Sequence, residues 1–496
     1  MNRQESTYRP TIGLEIHVEL ATLSKMFCAC RNRFGDPPNT NVCPVCLGMP
    51  GVLPVMNRQA YEFAVRVGLA LNCKIASFTK WDRKGYYYPD LPKNYQISQY
   101  DLPLSNNGYI DLLLDGRTKR VGIIRVHLEE DAGKNIHDFP DCTGVDFNRA
   151  GVPLLEIVSE PDMNAVGEVL GYARAMHHWV RYLGVSEANM QQGHMRFEPN
   201  ISLWIFDDTE PDGGHYTPIV EVKNLNSFRS LERTVVFEIE RQLGEWQADP
   251  QGYRMDKMSK QNRGWDDVQE VTVYQRHKEE AQEYRYFPEP DLLPVQIDDA
   301  WLEKIRSQVP ELPIDRYNRF QRNFGLDAKL AALLTSERST ADYFEATIQA
   351  GASAQRAANL IQSHGLRLAN ECGTDVASLG ISPQRLAELC RLADDDKISA
   401  TAAGTIFQAM LQSDDAPEKI ASERSLMQVS DVSALESIVK QVLTDNPKAV
   451  EDYRSGGKKA QKARGFLLGQ VIQKTKGQAN PKVAGELIDR KVLDQG

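Results

Sequence analysis

The segment from residue 12 to residue 20 constrains this chain most, because apolar and polar residues alternate along it without a break after Gly13. Successive side chains of an extended strand point to opposite faces of a sheet, so residues two apart share a face. The alternation therefore predicts a strand whose apolar side packs into a core. It places Glu15, His17 and Glu19 together on the other side, each about 7 Å from the next.

Two interpretations of this polar face are open. An antiparallel strand with one face in water shows the same alternation and needs no chemistry. Two carboxylates and an imidazole on one face also suit a hard divalent cation, which prefers oxygen ligands. Further carboxylates favour the second interpretation: Glu129 and Glu130 end another alternating run, and Glu156 lies inside the apolar run 153–158. An ionised carboxylate there needs a cation or hydrogen-bond partner, because its desolvation is costly.

A cluster of cysteines predicts a second kind of metal site. Cys28 and Cys30 form a C-x-C pair, and Cys43 and Cys46 form a C-x-x-C pair after a polar loop. Four thiolates in two close pairs suit a tetrahedral structural Zn²⁺ that clips such a loop. Reduced cysteines without metal and an iron–sulfur cluster are the alternatives, although the spacing fits neither common ferredoxin pattern.

Length and composition predict about three domains in 496 residues, of which 41% are hydrophobic and 25% charged. Residues 1–295 mix short alternating runs with apolar residues at helical spacing over 58–71, 164–183 and 229–247, which predicts an α+β domain. Residues 296–415 and 416–496 are typical of two helical domains. The chain has no apolar run long enough for a membrane span and no signal-like apolar region at its start, so a cytoplasmic protein without a membrane partner is expected.

The C-terminal tail is basic although the whole chain is acidic. Residues 447–496 contain eleven Lys and Arg against five Asp and Glu, a local charge of +6 in a chain of net charge −10. A basic module on an acidic body is typical of contacts with nucleic-acid phosphates. Its few aromatic residues favour contact with the backbone of a folded RNA over stacking on single strands. A solubilising helical face is the alternative.

Two sequence motifs are absent. The chain has no G-x-x-x-x-G-K-[ST] segment, so it does not hold ATP with a P-loop. It also has no G-x-S-x-G segment and no convincing nucleophile and base. If the chemistry requires ammonia, a partner or the solvent must supply it.

Several long segments, in order, resemble the B subunits of the aspartyl/glutamyl-tRNA amidotransferases, the GatB/GatE family, nearly from end to end. These segments are 12–20 (IGLEIHVEL), 88–99 (YPDLPKNYQISQ), 127–134 (HLEEDAGK), 146–162 (DFNRAGVPLLEIVSEPD), 221–228 (EVKNLNSF), 283–291 (EYRYFPEPD) and 475–481 (TKGQANP).

The resemblance implies a carbon–nitrogen ligase that acts on tRNA misacylated with glutamate or aspartate. Such proteins phosphorylate the side-chain carboxylate with Mg-ATP, and ammonia from glutamine then gives Gln-tRNA(Gln) or Asn-tRNA(Asn). The implied partners are the amidase (A) and small (C) chains of a heterotrimer, the tRNA, and a non-discriminating synthetase. The implied fold is α+β: a glutamine-synthetase-like cradle domain, then an all-α helical domain and a YqeY-like tail.

The resemblance also assigns residues. It implies catalytic roles for Glu15, His17, Glu129, Glu130 and Glu156, and all of these except Glu129 are also expected to bind Mg²⁺. It places Lys84 at the mouth of an ammonia channel, and Lys84 and Arg149 are expected to contact the cofactor. The cysteines match the zinc-bearing branch of the family, with Cys28, Cys30, Cys43 and Cys46 as ligands.

This sequence departs from the family pattern at a few positions near the expected active cleft. Gln191 and Gln192 stand where the family has two acids, Glu198 stands where it has Asp, and Asn262 stands where it has Thr. In the helical domain, the segment 358–361 lacks a tryptophan that commonly follows the Asn.

Two other functional classes compete with the amidotransferase. An RNA-binding module would keep the zinc clip and the tail but have no chemistry, and the buried position expected for Glu156 argues against it. A free-standing ligase for small carboxylates would not need the basic tail, so deletion of residues 420–496 should leave its activity unchanged.

Overall fold

The computed structural model describes residues 7–114, 116–137, 139–223, 225–277, 284–428, 432–475 and 478–494. Positions 224, 283, 476 and 477 of the family-like segments lie outside these residues, as do the last two residues of the basic tail. The chain divides into two compact units, Met1–Leu312 and Pro313–Gly496.

The first unit contains the strands. They are β1 (Tyr8–Glu19), β2 (Lys74–Ile75), β3 (Phe78–Thr79), β4 (Asp82–Gly85), β5 (Tyr95–Ser98), β6 (Ser105–Leu114), β7 (Arg117–Glu130), β8 (Lys134–Ile136), β9 (Gly144–Asp146), β10 (Pro153–Ser159), β11 (Met195–Phe206), β12 (Gly214–Tyr216), β13 (Val220–Lys223), β14 (Gln261–Asp266), β15 (Val271–His277), β16 (Phe287–Pro288) and β17 (Val295–Gln296).

One large sheet of ten strands organises this unit, in the order β15-β14-β13-β11-β1-β10-β7-β6-β2, with β12 also paired to β11. Its described pairs are antiparallel, apart from the parallel pair β13 and β14. The alternating segment 12–20 therefore lies in the middle of the sheet, since β1 pairs with β10 on one side and β11 on the other. A central strand is held by hydrogen bonds along both edges, which fixes the positions of its side chains.

Helices α1 (Arg58–Ala70), α2 (Val166–Tyr182), α3 (Phe228–Ala248) and α4 (Asp299–Arg306) belong to the same unit. The first three confirm the helices predicted at 58–71, 164–183 and 229–247. Capping fixes two of their starts: the Asn57 side chain accepts hydrogen bonds from the first turn of α1, and the Ser227 hydroxyl accepts one from Ser230 in α3.

The core of the first unit lies between the large sheet and these helices. On β1, Ile12, Leu14, Ile16 and Val18 are almost completely buried and belong to the same hydrophobic cluster as apolar residues of α1, α2 and α3. Each such side chain contributes about 1.5–3 kcal/mol when it leaves water. This packing confirms the predicted apolar face of β1 and leaves Glu15, His17 and Glu19 on the opposite face.

The first unit extends past residue 295, where the sequence places the end of the first domain. In α4, Trp301 stacks on Tyr61 of α1 with ring centroids 5.5 Å apart, and the indole N–H donates to Glu62. Ile297 and Ile305 join the first hydrophobic cluster. These contacts keep α4 with the sheet.

The second unit is helical in its described residues. Its helices are α5 (Pro313–Phe324), α6 (Ala328–Leu334), α7 (Arg338–Gln349), α8 (Ala354–Leu360), α9 (Leu366–Cys372), α10 (Pro383–Asp394), α11 (Ala400–Ala409), α12 (Pro417–Glu423), α13 (Val432–Asp445), α14 (Pro447–Arg454), α15 (Gly457–Lys474) and α16 (Pro481–Asp494). Their buried side chains form two separate hydrophobic clusters, one from Phe320 to Ala421 and one from Leu435 to Val492. Among the described helices of the whole chain, none combines the length and apolar character that crossing a membrane requires.

Candidate active site and cysteine metal site

The strand register brings acidic and imidazole side chains of three neighbouring strands into one row. His17 on β1 lies opposite Glu156 on β10, and Glu156 lies opposite His127 on β7. Directly opposed residues of an antiparallel pair have their side chains on the same face. The row therefore follows from the alternation within each strand together with the pairing between them.

His17, Glu129 and Glu156 form the imidazole–carboxylate cluster. The His17 Nε2 atom lies 3.3 Å from a Glu156 oxygen and 3.5 Å from a Glu129 oxygen. One ligand atom from each of the three residues lies within 4.8 Å of the others. Two carboxylates and an imidazole at this separation fit a divalent cation.

The charges in this cluster are interdependent. Burial alone would lower the pKa of His17, but the hydrogen bond it donates to Glu156 and the charge of Glu198 raise it to about 9. Burial alone would raise the pKa of Glu156, but nearby imidazoles hold it well below its usual range. Burial raises the pKa of Glu129 and lowers that of His127 to about 4. The cluster thus holds an ionised Glu156 carboxylate among buried neighbours, and such a group can serve as a ligand of a cation.

Glu15 belongs to a second group, the carboxylate triad of Glu15, Glu198 and Glu221. Glu15 lies opposite Glu198 in the sheet, and the three carboxylates approach within 4.8 Å. The Lys223 ammonium lies 2.5 Å from Glu198 and 2.8 Å from Glu221, which offsets part of this negative charge. The structure therefore places the expected metal ligands Glu15 and His17 in adjacent groups on one strand.

Glu130 has different surroundings, although it follows Glu129 directly. Its carboxylate pairs with the Lys93 ammonium and accepts a hydrogen bond of 2.9 Å from the Ile97 backbone N–H. Adjacent residues of a strand point to opposite faces, so Glu129 and Glu130 diverge. The structure does not bring Glu130 into the imidazole–carboxylate cluster, and its metal role stays a prediction.

Arg149 lies in an ion-pair network at the end of β1. Its guanidinium donates to the carbonyl oxygens of Ala132 and Gly133 at 3.0 and 2.7 Å and lies 3.6 Å from Asp131. Asp131 also accepts from Arg196 at 2.5 Å. Burial alone would raise the pKa of Asp131, but the two arginines hold it at about 2. Burial and the neighbouring Asp131 raise the pKa of Glu19 well above its usual range.

Lys84, the residue expected at an ammonia channel, lies on β4 among tyrosines. Its ammonium is 5.0 Å from the Tyr284 ring centroid and 5.9 Å from that of Tyr86. Burial alone would lower the pKa of Lys84, but the charges of Glu129 and Glu156 raise it. Lys84 is thus a fixed cation that faces the carboxylates of the imidazole–carboxylate cluster.

The four predicted cysteine ligands come together as the cysteine clip, made of Cys28, Cys30, Cys43 and Cys46. All four are free thiols, and their sulfur atoms lie within 4.8 Å of one another. Tetrahedral Zn–S bonds of about 2.3 Å require sulfur atoms roughly 3.8 Å apart, and Cys43 and Cys46 are 3.9 Å apart. The hydrogen bond from Cys28, aided by the Lys25 ammonium, lowers the pKa of Cys46 to about 5. This donor set fits zinc.

A cavity of about 810 Å³, the clip cavity, adjoins the Glu19 end of β1. Its lining includes Arg33 and Phe34 from the loop between the cysteine pairs, and Arg149 and Arg196 from the ion-pair network. Gln191 and Gln192, at two positions where the resemblance implies acids, also line it from a short 3₁₀ turn. Because the glutamine amides are neutral, the arginines that line the cavity have two fewer acidic neighbours than the resemblance implies.

Two domain models of known protein families match this chain. Residues 10–303 match the model of the GatB/GatE catalytic domain, which is more than half of the chain, and residues 342–492 match that of the GatB domain. The chain belongs to the GatB/GatE family. Its imidazole–carboxylate cluster, carboxylate triad and cysteine clip all lie within the catalytic-domain match.

Curated relatives are similar over nearly their whole length, and their names make them B subunits of aspartyl/glutamyl-tRNA(Asn/Gln) amidotransferases. The protein of Moorella thermoacetica is 46% identical over 98% of this chain and 100% of its own. The protein of Thermoanaerobacter pseudethanolicus is 44% identical over 97% of this chain and 98% of its own. The protein of Carboxydothermus hydrogenoformans is 44% identical over 98% and 99%, respectively.

The second unit of this GatB/GatE family chain has a basic cavity near its C-terminal end. It measures about 690 Å³, and its lining includes Lys448, Lys459, Lys462 and Phe466 together with two acids, Asp445 and Asp452. The Phe466 ring is 49% exposed. Three lysines around an exposed ring suit a phosphate and a base, a combination that the count of aromatic residues in the tail did not predict.

The sequence alone assigns no catalytic or binding role to four residues that complete the site. His127 completes the row, and Glu198, Glu221 and Lys223 form or neutralise the triad. Glu221 and Lys223 lie two apart within the run Val220–Lys223, so the alternation that revealed Glu15 and His17 also marks these two. His127 carries the same signal, since it lies two residues before Glu129 on β7.

Proposed function

We propose that this chain is the B subunit of an aspartyl/glutamyl-tRNA amidotransferase, a cytoplasmic enzyme that converts Glu-tRNA(Gln) or Asp-tRNA(Asn) to the amide. It activates the side-chain carboxylate, and an amidase (A) chain, joined by a small (C) chain, supplies ammonia from glutamine. The observation that carries this proposal is the buried group of His17, Glu129 and Glu156 in a GatB/GatE catalytic domain. An RNA-binding module would have no use for two carboxylates and an imidazole gathered beneath the surface of a sheet.

The proposed reaction has two steps, phosphorylation of the carboxylate and amidation of the acyl phosphate. The side-chain carboxylate oxygen of the aminoacyl group attacks the γ-phosphorus of ATP, which forms an acyl phosphate and releases ADP. Ammonia then attacks the acyl carbon, and phosphate leaves with the bonding electron pair while the nitrogen loses a proton. Both steps place negative charge beside the sheet, so cationic groups must lie there.

The imidazole–carboxylate cluster would hold Mg²⁺ through His17, Glu129 and Glu156, and Glu15 of the adjacent carboxylate triad extends the same face. When bound, the ion neutralises phosphate oxygens during transfer. His17 must lose its proton before it can act as a ligand. Burial of these side chains excludes water that would hydrolyse an acyl phosphate.

Two basic residues have roles that follow from their positions. The Lys84 ammonium, held near Glu129 and Glu156 by tyrosines, would attract the substrate carboxylate to the mouth of the ammonia path. Arg149, whose guanidinium lines the clip cavity, would contact the cofactor phosphates. Both contacts require a fixed cation, and both side chains are anchored by neighbouring groups.

The cysteine clip would bind a structural Zn²⁺ through all four of its sulfur atoms. Tetrahedral coordination by four protein ligands leaves no position for substrate, so the ion supports structure and not chemistry. In the second unit, the basic cavity around Lys459 and Lys462 would contact the tRNA, in keeping with a YqeY-like tail. The large sheet with one polar face supports a glutamine-synthetase-like cradle, and the three hydrophobic clusters support a cradle, a helical domain and a tail.

The proposal is tested with the purified complex and each misacylated tRNA in turn. ADP should form from ATP only when Glu-tRNA(Gln) or Asp-tRNA(Asn) is present, and the amide should appear when glutamine is added. ADP formation without tRNA would contradict the proposal. Deletion of residues 420–496 separates the remaining alternative, since full activity without the tail would indicate a ligase for small carboxylates.

A further inference from the structure

Lys25 is the buried lysine that the proposed chemistry does not use. Its side chain is 1% exposed, and its ammonium lies 3.8 Å from the Cys46 sulfur and 3.2 Å from the Phe147 carbonyl oxygen. Burial of an ammonium is costly unless an anionic group compensates it. The ammonium donates to the cysteine clip, because Cys46 is one of the four sulfur ligands of the clip.

The charge of a loaded clip explains why a cation lies there. Four thiolates around one divalent ion have a net charge of −2. Cys46 is the most buried of the four cysteines, so water compensates its sulfur least. An ammonium that donates to this sulfur offsets part of the charge and stabilises the loaded site.

The second contact of Lys25 leads to the turn that carries Arg149. Phe147 lies in the segment 145–148, to which the loop between the cysteine pairs is hydrogen-bonded. The bonds run from the Asn39 N–H to Asp146 at 2.9 Å, from the Asn41 N–H to Asn148 at 2.8 Å, from the Phe147 N–H to Asn39 at 2.8 Å and from Asn148 to the Pro37 carbonyl at 2.7 Å. Lys25 therefore joins two segments that already interlock.

Gly151 shows how closely the clip and the active-site strands approach. It has φ +85°, and a Cβ there would lie 3.5 Å from the Cys46 side chain and 3.7 Å from both Lys25 and the Glu130 carboxylate. Its N–H donates to the Asp131 carbonyl at 2.9 Å, and its carbonyl accepts from the residue after Lys25 at 2.8 Å. Gly151 thus connects the residue after Lys25 with the residue after β7 through two backbone hydrogen bonds.

The same loop forms one wall of the clip cavity. Arg33 and Phe34 line the cavity on the clip side, and Arg149 lines it beside the loop. The Phe34 ring meets His194 edge-on, with centroids 6.1 Å apart. The loop that connects the two cysteine pairs is therefore also a wall of the cavity.

We propose that Lys25 is a positioning residue, the buried cation that compensates the metal-loaded cysteine clip and fastens it to the segment 145–148. Metal occupancy of the clip then sets the shape of the cavity beside the active-site strands. This inference rests on the proposed zinc site, but it goes beyond it, because the metal acts on the active site through Lys25 and the turn.

The first experiment compares Lys25→Met with the wild-type full chain in zinc affinity, measured by competition with a chromophoric chelator. Methionine keeps most of the unbranched side chain and removes its charge. Loss of an outer partner of a metal ligand lowers affinity about 10–100-fold, and we expect a decrease of at least about tenfold. Lys25→Arg, which restores the charge, should retain more zinc than Lys25→Met. Lys119→Met removes a lysine that pairs with Glu168 at 3.3 Å on an outer part of the sheet, and it should match the wild type.

A second measurement covers the case in which Lys25→Met folds poorly. Wild-type chain stripped of zinc should show faster amide hydrogen exchange at residues 39, 41 and 147, whose N–H groups bond across the loop and turn. Amides of the central strand Tyr8–Glu19 should stay protected. Folded Lys25→Met with zinc bound should show part of the same increase.

The outcomes distinguish the proposed zinc site from the proposed role of Lys25. A wild-type chain that binds no zinc contradicts the zinc site itself. A wild-type chain that binds zinc, together with a Lys25→Met chain of equal zinc affinity and equal protection at residues 39, 41 and 147, overturns the inference and leaves the zinc site intact.

Discussion

The imidazole–carboxylate cluster and the cysteine clip are both candidate metal sites of the first unit, yet opposite kinds of backbone support them. His17, Glu129 and Glu156 project from three paired strands, whose hydrogen bonds fix them whether or not a cation is bound. Residues 28–46, all of them described, consist of turns and bends around the four cysteines. Loss of the metal should therefore abolish activity at the imidazole–carboxylate cluster but leave its strands in place. At the cysteine clip, loss of the metal should instead disrupt the local structure.

The largest expected effect tests whether the imidazole–carboxylate cluster carries the chemistry. Glu156→Ala should lower ADP formation with misacylated tRNA by about 10²–10³-fold or more, because the ionised carboxylate at the centre of the cluster is lost. Binding of tRNA should change little, because its proposed contacts lie around Lys459 and Lys462. Glu160→Gln, which alters an exposed carboxylate just beyond β10, is the control. Wild-type turnover in Glu156→Ala would remove the cluster from the mechanism.

The next largest expected effect tests whether the cysteine clip depends on its metal for its structure. Cys46→Ser should abolish zinc binding and lower the free energy of unfolding of the first unit by more than about 2 kcal/mol. In a domain of this size each kcal/mol corresponds to roughly 2–4 °C in melting temperature. Zinc content and thermal unfolding are measured on the purified chain, with the exposed Cys142 changed to Ser as the matched control. Loss of zinc without loss of stability would show that the clip holds its shape alone.

The contrast between strands and loops also explains what the sequence could predict. The polar face with Glu15 and His17 was predictable, because alternation is a local property of one strand. The separation of these two residues into adjacent groups was not, because it depends on which distant segments pair with β1. The four cysteines were predictable from spacing, whereas Lys25 carries no local signal. A single lysine is ordinarily exposed, and only the packed fold shows that Lys25 is buried.

A smaller effect concerns the pH dependence of stability in the metal-free chain. Folding raises the pKa of His17 from 6.5 to about 9, so the bound proton stabilises the fold fully below pH 6.5, and this stabilisation is lost as the pH rises through about 9. The free energy of unfolding should therefore decrease across this window, by at most about 3 kcal/mol. Urea denaturation of the chelator-treated chain measures it, and His17→Gln should remove the pH-dependent part. An identical pH profile in both proteins would show that His17 is not protonated in the fold.

The smallest expected effect is a difference in Mg²⁺ binding between variants of Glu129 and Glu130, which are neighbours on β7. Glu129→Gln should weaken Mg²⁺ binding at least about tenfold, since even the loss of an outer partner has an effect of that size. Glu130→Gln should change it less than about twofold, because Glu130 contacts Lys93 and the Ile97 backbone and lies apart from His17 and Glu156. Calorimetric titration with Mg²⁺ compares the two variants. Equal losses would place Glu130 among the ligands, as the family resemblance implies, and would mean that the bound ion draws its carboxylate away from Lys93. In that case the strands, like the clip, would depend on their metal for part of their arrangement.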